Sequence, residues 1–150
     1  MLDPNRRLRS HKELQRDAIR QASTYAHFSQ NQALYMNRAV GTRLSAYEWA
    51  VADYFGKPKV LQIDSSLWTG AAGQTIRIEA RDNLMVLRVY VRVWEKALLL
   101  EEGEALESDG EPFIWTYTTH TAIQPKPGIW LDVVAYDLPG NTGQKFLVVK

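Results

Sequence analysis

The hydrophobic residues of this chain change their spacing near residue 58. Before that point, Leu14, Ala18, Tyr25 and Phe28 recur at intervals of three, four or seven, which is the spacing of an amphipathic helix. After it, short alternating runs are separated by Gly, Pro, Asn and Asp, as is typical of strands and turns. The pattern predicts a helical extension over residues 1–57 and a β domain over residues 58–150.

Two serine–glutamate pairs indicate where helices begin. Ser10 and Glu13, and later Ser45 and Glu48, have the spacing of a capping box, in which each side chain bonds the other residue's backbone amide. A glycine follows each helical pattern, as at many helix ends. We therefore predict one helix after each pair.

The first predicted helix covers about residues 11–40 and the second about 46–55, where Asp53 is expected to lie near solvent. The polar residues 29–32 are a point at which the first helix could divide. A helix of about 30 residues would be about 45 Å long, longer than the side of a small domain. Part of its apolar stripe is therefore expected to contact another copy, although a helix pair folded on its own domain is the alternative. The helical residues expected to contact a partner are Tyr25, Phe28 and Tyr35.

Seven strand-like runs follow, and seven short strands with turns between them predict an antiparallel β-sandwich. The runs cover residues 60–64, 75–81, 86–94, 98–102, 113–118, 129–136 and 145–149. Alternation predicts that the core includes Ile76, Ile78, Val89, Val91, Trp115, Leu131 and Val133. By the same rule Leu87 faces inward.

Three segments of the β domain resemble bacterial immunoglobulin-like domains. Residues 73–83 (GQTIRIEARDN) resemble their second strand, and residues 113–118 (FIWTYT) their tryptophan-bearing fifth strand. Residues 131–141 (LDVVAYDLPGN) are similar to the A-x-D-x-x-G-N signature before the last strand. The resemblance implies an Ig-like sandwich of about seven strands over residues 58–150 of a bacterial protein. It implies little about function and does not extend to the helical part.

The charge is unevenly distributed along the chain. The net charge is +1, but residues 1–57 hold nine Lys and Arg against five Asp and Glu, and residues 58–150 hold nine against twelve. Opposite balances favour head-to-tail attraction between copies, and ordinary surface charge is the alternative.

Other partner classes receive little support from the composition. The basic run Arg6, Arg7, Arg9, Lys12, Arg16 and Arg20 is interrupted by Glu13 and Asp17, and no recognition motif accompanies it, so no nucleic acid is expected. No run approaches 18 apolar residues, so no membrane span is expected. No apolar run follows the basic N-terminus, which predicts a cytoplasmic protein, with export by a route that the sequence does not show as the alternative. Cysteine is absent, which excludes disulfides and thiolate metal sites.

One pole of the predicted sandwich gathers oxygen ligands. Asp82 and Asn83 follow the second strand, and Asp137 and Asn141 precede the last. Asp82, Asp137 and Asn141 are therefore a candidate calcium site. Bracing of two turns is the favoured interpretation because only two carboxylates are available, and no cofactor is expected.

The outward face of two adjacent predicted strands is rich in aromatic and arginine side chains, which are enriched at the energetic centres of interfaces. The face comprises Arg88, Tyr90, Arg92, Trp94, Trp130 and Tyr136. We expect this face to be covered either by a partner protein or by the chain's own helices.

Enzyme function is not expected. His11, His27 and His120 have no metal-ligand spacing, and no nucleophile, phosphate-loop or dinucleotide motif occurs. The acidic stretch over residues 101–111 is interpreted as a solvated hairpin edge. The sequence thus favours a structural or assembly protein, for example a subunit of a phage-like or filamentous assembly, that binds other copies or other subunits. The alternative is a carbohydrate-binding module with Trp94, Trp130 and Tyr90 as its platform.

Overall fold

The structure is a computed structural model that describes residues 10–149. The chain divides into two compact units, one ending at Phe55 and the other beginning at Gly56, two residues before the predicted boundary. The first unit contains helices α1 (His11–Ser29), α2 (Ala33–Ala39) and α3 (Ala46–Phe55).

Helix α1 begins with the predicted capping box. The Glu13 amide donates to the Ser10 hydroxyl at 3.2 Å, and the Ser10 amide donates to the Glu13 carboxylate at 2.8 Å. The helix expected over residues 11–40 is two helices, because the chain leaves the helix after Ser29, within the polar segment 29–32 where a division was expected. Gln30 turns back to donate to the His27 carbonyl at 3.1 Å, and such local side-chain bonds compete with the helix. Helix α1 is therefore about 28 Å long, not about 45 Å.

The buried residues of the helical unit are mostly small. They are Ala22, Ala26, Tyr35, Ala50 and Asp53. Asp53, expected near solvent, is 1 % exposed and accepts a 2.5 Å hydrogen bond from the Tyr35 hydroxyl, which also bonds the Tyr25 hydroxyl. Burial, followed by the bond to Asp53, raises the pKa of Tyr35. A buried tyrosine needs a partner for its hydroxyl, and Asp53 supplies it.

Within residues 56–149 the second unit forms eight strands in two antiparallel sheets, and this confirms a β-sandwich preceded by helices. The first sheet has the order β1-β2-β6-β5 and the second sheet the order β4-β3-β7-β8. The strands are β1 (Lys59–Asp64), β2 (Thr75–Arg81), β3 (Arg88–Glu95), β4 (Leu98–Glu104), β5 (Leu106–Glu107), β6 (Ile114–Thr118), β7 (Ile129–Tyr136) and β8 (Thr142–Val148). Seven of them correspond to the predicted runs, and the two-residue β5 was not predicted.

The two sheets share one hydrophobic core. All seven predicted core residues are buried, and the least buried, Trp115, is 7 % exposed. Leu87 is 48 % exposed because β3 begins only at Arg88, so the alternation that buries Val89 does not extend back to Leu87. Where edge strands β1 and β8 of the two sheets approach each other, a Cβ on Gly143 would lie 1.9 Å from the Pro58 carbonyl oxygen, so only glycine allows this approach.

A bulge in edge strand β4 reverses the direction of one acidic side chain. Val93 pairs with Glu101 and Trp94 with Leu99, which leaves Leu100 as an extra residue. Glu101 consequently points inward and is 4 % exposed, whereas Glu102 and Glu104 remain exposed. The interpretation of residues 101–111 as wholly solvated is therefore wrong at Glu101.

Candidate functional site

The outward face of the second sheet carries an uninterrupted row of apolar side chains. Trp94 pairs with Leu99 on β4 and with Trp130 on β7, and Trp130 pairs with Val148 on β8. Leu99, Trp94, Trp130 and Val148 therefore lie side by side across all four strands. Together with Phe146 on β8, which contacts Trp130, we call them the aromatic row.

The rings of the aromatic row contact one another closely. Trp94 and Trp130 stack with centroids 5.6 Å apart and planes 10° apart, and Phe146 meets Trp130 at 5.6 Å and 68°. The Trp130 indole N–H donates to the Lys96 carbonyl at 2.9 Å. The Trp94 indole nitrogen is shielded from solvent and has no acceptor among residues 10–149. Such a buried donor is costly, by about 1–3 kcal/mol, so ring packing must hold Trp94 in place.

The ends of the row are open to solvent. Val148 is 66 % exposed, Phe146 57 % and Leu99 38 %. These residues lie on the two edge strands of the sheet, β8 and β4. The apolar row therefore reaches solvent at both edges of the sheet.

The other half of the face alternates arginine and tyrosine. The Arg88 guanidinium lies 5.1 Å from the ring centroids of both Tyr90 and Tyr136, and that of Arg92 lies 5.2 Å from the Tyr90 centroid. Such cation–π contacts are worth about 0.5–1 kcal/mol at exposed sites. We call Arg88, Tyr90, Arg92 and Tyr136 the Arg–Tyr ladder.

Acidic side chains neutralise the ladder. Arg92 donates to Glu102 at 3.1 Å and Arg88 pairs with Glu104. Hydrogen bonding to Glu102 raises the pKa of Arg92, and burial together with a bond to Glu102 raises the pKa of Tyr90. The arginines are therefore held in place by acidic partners on β4, whereas Trp94 and Trp130 are held mainly by ring contacts.

The structure thus brings all six predicted sheet residues onto one face, as predicted. Sequence reasoning missed Leu99, Phe146 and Val148, because alternation was applied within single strands and not carried across the sheet to β4 and β8.

The three predicted helical contact residues differ in exposure. Tyr35 is fully buried, so it offers no surface to a partner, and Tyr25 is half-buried and bonded to it. Phe28 is 80 % exposed. Ile19 and Leu14 of the same helix are 61 % and 53 % exposed, respectively. The helical unit therefore presents apolar surface around α1.

The candidate calcium residues meet at one pole of the sandwich. Asp137 is 2 % exposed and accepts from the Asn141 amide at 2.6 Å and from the Asn141 side chain at 3.1 Å. Burial raises the pKa of Asp137, and the nearby Asp82 raises it further, against the lowering effect of the Asn141 donors. Gly140 in the same turn has φ +95°, which suits glycine. Asp137 and Asn141 therefore brace this turn, as predicted.

Asp82 does not take part in that bracing. Each of its carboxylate oxygens has less than 1 Å² exposed, and neither has a hydrogen-bond partner within the described part of the chain. A carboxylate oxygen of Asp82 and one of Asp137 lie within 4.8 Å of each other.

The remaining predicted features are distributed over the chain. Arg6, Arg7 and Arg9 of the basic run lie outside the described residues. His120 lies beside Glu101, with 3.3 Å between its Nε2 and a carboxylate oxygen. Among residues 10–149 no helix combines the length and apolarity needed to cross a membrane.

Comparisons with protein-family models, with curated proteins and with solved structures find no match to this chain.

Proposed function

We propose that this chain is a non-catalytic structural protein that assembles with other copies of itself, and that the aromatic row is a contact surface. The observation that carries the proposal is the continuous apolar row across four strands, whose edge members are 38–66 % exposed. Large exposed apolar patches mark interaction sites on soluble proteins.

The composition of this face favours a protein partner. Tryptophan, tyrosine and arginine dominate interface hot spots, and the aromatic row places two tryptophans at the centre of a surface flanked by a charged ladder. At about 25 cal/mol per Å² of apolar area removed from water, covering such rings is strongly favourable.

The helical unit supplies a second apolar surface with the opposite charge balance. Phe28 is 80 % exposed, and residues 1–57 hold an excess of four basic residues while residues 58–150 hold an excess of three acidic ones. Unlike surfaces on one chain form a head-to-tail contact, which generates rings or filaments. This supports membership of a larger assembly.

The strand order supports an Ig-like assignment of the sandwich. Sheets of order β1-β2-β6-β5 and β4-β3-β7-β8 correspond to the ABED and C′CFG arrangement of immunoglobulin sandwiches. The proposal therefore has two parts: the sandwich is Ig-like, and the chain has a structural role.

Carbohydrate binding is the less favoured function. A sugar-stacking platform needs free ring faces, but Trp94 and Trp130 use one face each on the other, and Trp130 also meets Phe146. The guanidinium groups of Arg88 and Arg92 both lie within 5.2 Å of the centroid of the Tyr90 ring.

Light scattering after size-exclusion chromatography, over a range of concentrations, tests the proposal. Wild type is expected to form a dimer or larger particle, and the double variant Phe146→Glu/Val148→Glu is expected to shift it toward monomer. Leu106→Glu is the matched control, since Leu106 is 73 % exposed on the first sheet and should leave assembly unchanged.

Phe28→Glu tests the helical surface in the same assay, and it should also reduce the particle size. A wild type that stays monomeric at all concentrations, or an assembly that Leu106→Glu weakens as much as the double variant does, would contradict the proposal. Retention on a polysaccharide column that is lost in Trp130→Ala would favour carbohydrate binding.

A further inference from the structure

The second unit contains a carboxylate whose role the fold does not explain. Asp82 follows β2 directly, and both of its oxygens are shielded from solvent. Aspartates after strands commonly accept turn amides, but within residues 10–149 neither oxygen of Asp82 has a hydrogen-bond partner.

Its surroundings make this arrangement costly. Asp137 is 2 % exposed and has an oxygen within 4.8 Å of Asp82. Two carboxylates in such a place repel each other, and a buried charge without a partner is strongly unfavourable. Asp137 is already committed to the Asn141 amide and side chain, so it cannot relieve Asp82 by turning away.

A shared proton or a bound cation would remove this cost. We propose that Asp82 and Asp137 hold a hard divalent cation, with the A-x-D-x-x-G-N turn as its rigid support. The turn keeps Asp137 in place through Asn141, whose side chain also donates to the Gly56 carbonyl at 2.8 Å. Carboxylate oxygens on short loops are the ligands that Ca²⁺ and Mg²⁺ take, with water completing the shell.

The site explains a difference that turn bracing leaves open. Bracing accounts for Asp137, whose oxygens bond Asn141, but not for Asp82, which braces nothing within the described residues. A cation between the two carboxylates gives both a function. It would also link the loop after β2 to the turn before β8, and so join the two sheets at this pole.

The test uses the full chain, treated with a chelator, dialysed, and titrated with CaCl₂ or MgCl₂ at constant ionic strength. The melting temperature and the heat of binding are followed. A metal ion that binds only the native state increases the free energy of unfolding with the logarithm of the metal concentration above Kd. We therefore expect a heat of binding that saturates and a melting temperature that continues to rise with metal concentration. Asp82→Asn should abolish both effects. Asp109→Asn, which removes an exposed acidic side chain from a turn, should retain them.

Three results would overturn the proposal. The first is a wild type that shows no saturable response even when the metal concentration is about 100-fold above the millimolar Kd of weak calcium sites. The second is an equal loss of response in Asp109→Asn. The third is a combination of two results at neutral pH: the metal-free Asp82→Asn variant melts at a higher temperature than wild type, and neither metal changes the melting temperature of wild type. Asp82 and Asp137 would then share a proton and would not bind a cation. Since the wild-type titration needs no variant to fold, and particle size is not measured, the outcome is independent of the assembly proposal.

Discussion

Replacing Tyr117 by Phe removes one hydroxyl from the core while the ring stays in place. Tyr117 is 2 % exposed, and its hydroxyl donates to the Glu101 carboxylate at 2.5 Å. The same carboxylate accepts from the His120 and Thr121 amides at 3.2 and 3.3 Å. A hydrogen bond to a charged group contributes about 1.5–3 kcal/mol, so the free energy of unfolding should fall by about that amount.

A matched exposed pair provides the control. Burial, followed by Glu102, raises the pKa of Tyr90 on the outer side of the same strand pair, where solvent screens the interaction between the two side chains. Tyr90→Phe should therefore change stability by less than about 1 kcal/mol. Urea denaturation followed by tryptophan fluorescence measures both variants, with equal m-values as the condition for comparison.

A double-mutant cycle isolates the bond itself. Glu101→Gln places an amide opposite the His120 and Thr121 donors, and the coupling between Glu101→Gln and Tyr117→Phe should exceed about 1 kcal/mol. If Tyr117→Phe costs no more than Tyr90→Phe, the bulge at Leu100 does not bury Glu101 and this account of β4 is refuted.

Three further results are expected. Trp115→Ala should lower the free energy of unfolding by about 3–5 kcal/mol in the same urea assay, because a large core aromatic is lost; a loss below about 1 kcal/mol would mean that Trp115 faces solvent. Gly143→Ala should cost about 1–3 kcal/mol, because its Cβ would lie 1.9 Å from the Pro58 carbonyl oxygen; unchanged stability would show that the β1–β8 edge can open. Burial raises the pKa values of Tyr35 and Tyr117 above the ordinary 10.0, so their contribution to stability should be fully present below that pH and decrease above it. The melting temperature of Tyr117→Phe should therefore decline less steeply than that of wild type between about pH 10 and 11.

The sequence predicts the β domain well because its strands bury one face. Alternation in Ile129–Tyr136 and in Thr75–Arg81 predicts which side chains face the core, since a shift by one residue would expose every core side chain; Asp132 is buried although it lies on the outward face. The capping boxes predict the starts of α1 and α3 for a similarly local reason, as each depends on residues only three positions apart.

Features that depend on distant contacts could not be predicted. Asp53 was placed near solvent because a carboxylate usually lies there, and its burial depends on Tyr35, eighteen residues away. Glu101 was placed at a solvated edge because the bulge at Leu100 is defined only by the pairing of β4 with β3, which the sequence pattern does not give. In both cases one tyrosine hydroxyl makes the burial of an acid possible.

The candidate surface combines both kinds of information. Alternation within β3 and β7 predicts that Trp94 and Trp130 face outward, but alternation alone cannot say which residues stand beside them. The pairing of Trp130 with Val148 and of Trp94 with Leu99 is a property of sheet register, and it turns two separate tryptophans into a row across four strands. Register therefore extends the apolar surface from two strands to four, while the ring contacts between Trp94, Trp130 and Phe146 leave fewer ring faces for a small ligand. The same geometry that extends the apolar surface thus favours a protein partner over a sugar.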